Sequence, residues 1–147
     1  MLTKIVSIFL WKYFEFFNFF DIMEMRFEMT QKERIMHHIE SEYGSIPEYL
    51  WEKFPNHFIY RHKNNKKWFA LIASITKDKL GEKEKGPVDI INIKLDPFEV
   101  DIYKSQNGFH PAYHMNKQKW LTAKLDGTIP DEIIEELIYN SFLITKK

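Results

Sequence analysis

Two runs rich in aromatic and β-branched residues, His57–His62 and Lys67–Ile75, flank the dipeptide Asn64-Asn65. Runs of that composition around a two-residue turn read as a β-hairpin, because Asn tolerates the positive φ that tight hairpin turns require. A hairpin cannot bury a face alone, so the rest of the chain has to supply more strands and a covering layer. Val88–Leu95 sets Ile91, Ile93 and Leu95 against Asn92 and Lys94, and Trp120–Leu125 alternates in the same way. Both fit half-buried antiparallel strands.

Helical signals surround these strands. Thr30-Gln31-Lys32-Glu33 is a capping box, followed by Ile35, Met36, Ile39 and Tyr43 at helical spacing, with Gly44 as a stop. Ser45-Ile46-Pro47-Glu48 predicts a short helical turn through Tyr49, Leu50 and Trp51, closed by Pro55. Asp96-Pro97 opens another helix, which Asn107-Gly108 ends. The last helix begins near Pro130, carries Asp131 and Glu132 at its positive end, and buries Ile133, Ile134, Leu137, Ile138 and Phe142. Thr76–Pro87 is a charged, glycine-containing loop with little to bury, and the expectation there is mobility. Strands grouped between helices predict an α+β fold, an antiparallel sheet with helices packed on one face.

Residues 1–29 stand apart. They hold seven of the thirteen Phe, together with Trp11 and Tyr13. No small-residue cleavage site follows, and Lys12, Glu15, Asn18 and Asp21 interrupt what a membrane span would keep apolar. The expectation is an accessory helix, or upstream sequence before a true start at Met23, Met25 or Met29, followed by a domain over residues 30–147. The alternative is an interfacial helix, since aromatic side chains favour the headgroup zone.

Charge narrows the range of partners. Lys+Arg and Asp+Glu both total 21, so no global field attracts a polyanion, and nucleic-acid binding has to come from a local patch. Cysteine is absent, which excludes disulfides, thiolate nucleophiles and cysteine-held metal sites. A cytoplasmic location is expected.

The densest cluster of polar and aromatic side chains runs from His110 through Pro111, Tyr113, His114, Asn116, Lys117 and Lys119 to Trp120, then on to Asp126-Gly127 and Pro130. Such groups are costly to bury unpaired, so they bond internally or face a partner. With Phe54-Pro55-Asn56, Arg61-His62 and Asn65-Lys66-Lys67-Trp68-Phe69-Ala70-Leu71, this pattern resembles the MmcQ/YjbR family of small bacterial proteins described as DNA-binding. The resemblance covers about residues 30–147 and implies a frataxin-like (CyaY-like) layering of double-wing character, with double-stranded DNA as partner.

Several chemistries compete for these residues. Arg61, Lys63, Asn65, Lys66 and Lys67 at the hairpin tip, joined by Lys117 and Lys119, can follow phosphates, while Asn amides can reach base edges. An ordinary solvated hairpin would use the same lysines to block edge aggregation. His110 and His114 suggest a metal, but Pro111 keeps them off one helix face and no third ligand is near in sequence, so no metal or cofactor is expected. No glycine-rich phosphate loop, nucleophile elbow or HExxH helix occurs, and Ser74, Ser105 and Ser141 have no evident base, so no enzymatic activity is expected. The first helix mixes Glu33, Glu40 and Glu42 with Lys32, Arg34, His37 and His38, unlike an acidic iron-binding ridge.

The leading expectation is a non-enzymatic DNA-binding domain using the basic hairpin and the motif loop Tyr113, His114, Asn116, Lys117 and Trp120. The alternative is a protein- or small-ligand-interaction domain whose recognition pocket lies at the Tyr113–Trp120 loop. Trp68 and Trp120 are expected on the face opposite Phe69, as two outward indoles.

Overall fold

The computed structural model describes residues 19–147. The chain divides between Thr30 and Gln31 into two units. Of the first unit, the described part is helix α1 (Phe19–Glu28) and the two residues after it. The expectations for residues 1–18 lie outside the described residues.

The second unit carries the expected α+β architecture. Its order is α2 (Gln31–Tyr43), β1 (Phe58–Arg61), β2 (Trp68–Thr76), a 3-10 turn (Lys77–Leu80), β3 (Pro87–Lys94), α3 (Pro97–Tyr103), β4 (Phe109–Pro111), β5 (Trp120–Lys124) and α4 (Asp131–Thr145). The five strands form one antiparallel sheet in the order β1-β2-β3-β5-β4. Strand β4 is one element more than the sequence suggests. Its three residues are too short to show a period, and only pairing with β5 makes them a strand.

Helices α2 and α4 pack on one face of the sheet, where Ile35, Ile39, Phe69, Ile72, Ile91, Ile93, Leu121 and Ile138 form the main core. Each fully buried aliphatic chain there contributes about 1.5–3 kcal/mol. Phe142 ties the end of α4 into this core, its ring stacked on Tyr43 at 4.5 Å and edge-on to Phe69 at 5.2 Å. The pairing of β1 with β2 slips between Tyr60 and Arg61, where Phe69 bulges from β2 as the unpaired residue. Ser141, fully buried on α4, donates to the Phe69 carbonyl and accepts the Lys94 N–H, satisfying both strand ends at once. Its hydroxyl is a structural pin.

The opposite face of the sheet is covered as well. Ile59, Leu71, Ala73, Ile75, Val88 and Ile90 form a second apolar cluster, closed by Trp51, Trp68, Leu80, Tyr113 and Met115. The two indoles are therefore not outward. Trp120 is buried within β5, and half-buried Trp68 meets Trp51 edge-on at 5.8 Å. Alternation located their face correctly, but alternation alone does not reveal that loops fold over it.

Four local readings need correction, two of them small: α3 ends at Tyr103, before Asn107-Gly108, and Ile133 on α4 is exposed. Residues 45–50 form no helical turn; Glu48 instead bridges Ile59 in extended conformation, with two backbone hydrogen bonds of 2.9 and 3.0 Å. An open strand edge at β1 offers better partners than an isolated turn does. The 77–86 segment has more to bury than expected. Leu80 packs on the second cluster, and Glu82 is held by Lys124 and His110.

Candidate functional site

The motif loop, residues 112–119, is built on a buried polar pair. Asn92 in β3 and Thr122 in β5 are cross-strand partners and both have zero exposure. The Thr122 hydroxyl donates to the Asn92 side-chain carbonyl, the Asn92 amide donates to the Tyr113 carbonyl at 2.9 Å, and the Tyr113 N–H donates to the Thr122 hydroxyl at 2.9 Å. All three bonds close on one another, which removes the cost of burying them. The sheet thereby fixes the backbone at Tyr113.

Beyond Tyr113 the chain turns sharply. His114 adopts a positive φ of 52°. The Asn116 side chain accepts the Gln118 N–H at 2.9 Å, and its carbonyl accepts the Trp120 N–H at 2.9 Å. Lys117 closes the loop by donating from Nζ to the Ala112 carbonyl at 2.9 Å. Asn116 is thus a turn-former, and buried Trp120 serves the sheet.

The downstream part of the pattern is equally structural. Gln31 at the head of α2 accepts the Gly127 N–H and donates to the Ile129 carbonyl and to Asp131. Arg34 pairs with Asp131 at 2.6 Å. Gly108 has a φ of 89°, and a Cβ there would lie 2.6 Å from the Ile129 side chain. Much of the motif is spent on joining β4, the 126–130 turn and α2.

What remains open to solvent is a concavity of about 320 Å³ between the motif loop and the 3-10 turn, lined by Lys79, Leu80, His110, Pro111, Tyr113, His114 and Lys117 among others. Tyr113 is half-buried and His114 exposed, their rings edge-on with centroids 4.1 Å apart. The two loops leave opposite ends of the sheet and meet above its second face. Glu82 fastens the 77–86 segment, with Lys124 Nζ at 2.7 Å and His110 Nε2 at 3.2 Å. The hydrogen bond from Lys124 holds the Glu82 carboxyl below the usual range, and Glu82 in turn raises Lys124. His110 and His114 therefore do different things: one faces a carboxylate, the other is exposed. Among the described residues, no three His, Asp or Glu side chains converge as a metal site.

The hairpin residues separate in the same way. Arg61 is engaged by Glu48, with Nη2 donating to Oε1 at 3.1 Å. Asn65 is bonded within the chain: its amide donates to the Thr145 and Lys146 carbonyls, and its oxygen accepts the Lys67 N–H. The positive φ in this turn falls on Lys66 (62°) and not on either Asn, whose side chains bond the turn's own backbone. Lys67 reaches the Lys147 carbonyl. Lys63, Lys66 and Lys119 are exposed.

The strand register places these groups. Arg61 pairs with Trp68, Ala70 with Ile93, and Lys94 with Trp120, so the hairpin turn, the end of β3 and the start of β5 share one end of the sheet. Only β3 lies between β2 and β5, a span of about 10 Å. The Asn65 bonds bring Lys146 and Lys147 to the same end. Sequence reasoning missed these two, because nothing local marks the chain terminus as a neighbour of residue 65. Lys79 was missed for a similar reason, as only folding of the 77–86 segment over the sheet brings it to the motif loop.

Fold and site together define a small α+β domain, a five-stranded antiparallel sheet with helices on one face and a loop-built concavity on the other. The chain belongs to the YjbR family, which residues 41–144 match. The uncharacterized protein YyaQ of Bacillus subtilis is 40% identical over 118 residues, 80% of this chain and 100% of that protein. A Pseudomonas syringae protein solved by crystallography is 37% identical with a TM-score of 0.75, over 80% of this chain and 99% of that one. A Deinococcus radiodurans protein, 22% identical with a TM-score of 0.53 over 70% of this chain and 69% of its own, shares the fold.

Proposed function

We propose that this chain is a non-enzymatic, cytoplasmic protein that binds duplex DNA through the basic end of its sheet. The carrying observation is topological: Lys63, Lys66 and Lys119 are exposed at one sheet end, and the Asn65 bonds add Lys146 and Lys147. A neutral protein needs such a local concentration of charge to hold a polyanion. Because Arg61 and Asn65 already have internal partners, the contacts are with phosphates and binding is weakly selective for sequence.

The test is fluorescence anisotropy of a labelled duplex titrated across salt, beside a Lys63/Lys66/Lys119→Ala variant. Each phosphate contact contributes about −0.9 to the slope of log K against log salt, so the variant's slope should shrink by about 2.7. Absence of binding at low salt overturns the reading.

The concavity favours a second reading, a small-ligand site beside His114 and Lys117. Its support is that His114 and Lys117 are exposed on a loop whose backbone is fixed from below by Asn92 and Thr122. Asn116 and Trp120 have structural roles in this reading.

A further inference from the structure

Resting on that second reading, we propose that the concavity between the 3-10 turn and the motif loop recognises a phosphate monoester carried on a flat aromatic ring. Its walls hold two ammonium groups, Lys79 and Lys117, two imidazoles, His110 and His114, and the Tyr113 phenol, with no carboxylate among the lining residues. The adjacent acid, Glu82, is held from the site's edge by Lys124 Nζ at 2.7 Å and His110 Nε2 at 3.2 Å, with Lys124 also 3.3 Å from Asp126. Lys117 spends one of its three N–H donors on the Ala112 carbonyl, which positions the ammonium and leaves two donors for a ligand. The apolar part of the wall, Leu80, Pro111 and the Tyr113 ring, offers surface for a flat body. About 320 Å³ lies at the small end of ligand-pocket volumes and suits one aromatic ring with its phosphate.

The geometry also favours a fixed site over an adaptive one. Tyr113 is anchored by two hydrogen bonds to the buried Asn92–Thr122 pair, and His114 is held at a backbone angle that few non-glycine residues adopt. A preorganised donor set loses little entropy on binding.

The experiment is a ¹H–¹⁵N correlation titration of the full chain with phenyl phosphate, inorganic phosphate and phenol. Phenyl phosphate should shift the amides of Leu80 and Ala112–Lys117 saturably, binding at least about tenfold more tightly than either fragment. Lys79→Glu, at an exposed site on the other wall, should weaken it by about tenfold or more while leaving the rest of the spectrum in place. Lys63/Lys66/Lys119→Ala should leave it unchanged, so loss of DNA binding and loss of this site are separable. Phenol shifting the same amides as tightly as phenyl phosphate would keep the pocket and overturn its phosphate preference. No localised shift with any probe, or shifts centred on the hairpin lysines, would overturn the pocket itself.

Discussion

At the scale of single residues, the pattern that marks this chain is mostly internal carpentry. Gly108 is the sharpest case, since its φ of 89° and the 2.6 Å approach to Ile129 leave no room for a methyl group. Gly108→Ala should cost about 2 kcal/mol or more, from strain plus overpacking, read as a drop in urea midpoint. His62 gives a second prediction. It is buried, bonded to the Thr145 hydroxyl at 2.8 Å, with its ring 4.4 Å from Phe142. Burial, aided by Lys146 and Lys67, lowers its pKa despite an opposing backbone bond. The unfolded chain therefore takes up the proton first as pH falls. Stability linked to His62 is complete above the unfolded value of about 6.5 and declines below it, levelling off once the folded value is passed. Urea unfolding at about pH 7.5 and about pH 5.5 should show the decline, and His62→Gln should reduce it. Neither role was legible from sequence, because Gly108's neighbour is Ile129 and His62's is Thr145.

Among the elements, the sequence was most informative where a period was long enough to count. The starts of helices α2, α3 and α4, the hairpin and strands β3 and β5 follow from spacing and caps, whereas α3 stops at Tyr103, short of Asn107-Gly108, and Ile133 on α4 is exposed. The segments that failed were short or non-periodic: 45–50, β4 and 77–86. The last of these is held over the sheet by Glu82 more than by its own composition. Glu82→Gln should therefore speed amide exchange across residues 78–86 by roughly fivefold, equivalent to about 1 kcal/mol for a partly buried, charge-assisted contact. The remaining strands should keep their protection.

For the whole molecule, the side chains that form both apolar clusters among the described residues come from residues 31–147. The Bacillus relative, matched over its full length by 118 residues, has room for little more than this unit. Residues 30–147 alone should unfold in a single cooperative urea transition, with the same midpoint as the full chain. A shifted midpoint would show that residues 1–29 contribute to the stability of the fold.

The sequence alone determined the α+β class, the order of nearly all elements and the absence of a global field, because these depend on local periodicity and on counting. Only the tertiary structure decided which polar groups are spent and which are free. Asn65, Arg61, Asn116 and Trp120 look available in the sequence, yet each has an internal role. Lys79, Lys146 and Lys147 look incidental, yet folding brings Lys79 to the motif loop and the two terminal lysines to the hairpin. The physical reason is that a hydrogen bond or a wall of a cavity belongs to pairs distant in sequence, and no local pattern encodes the partner.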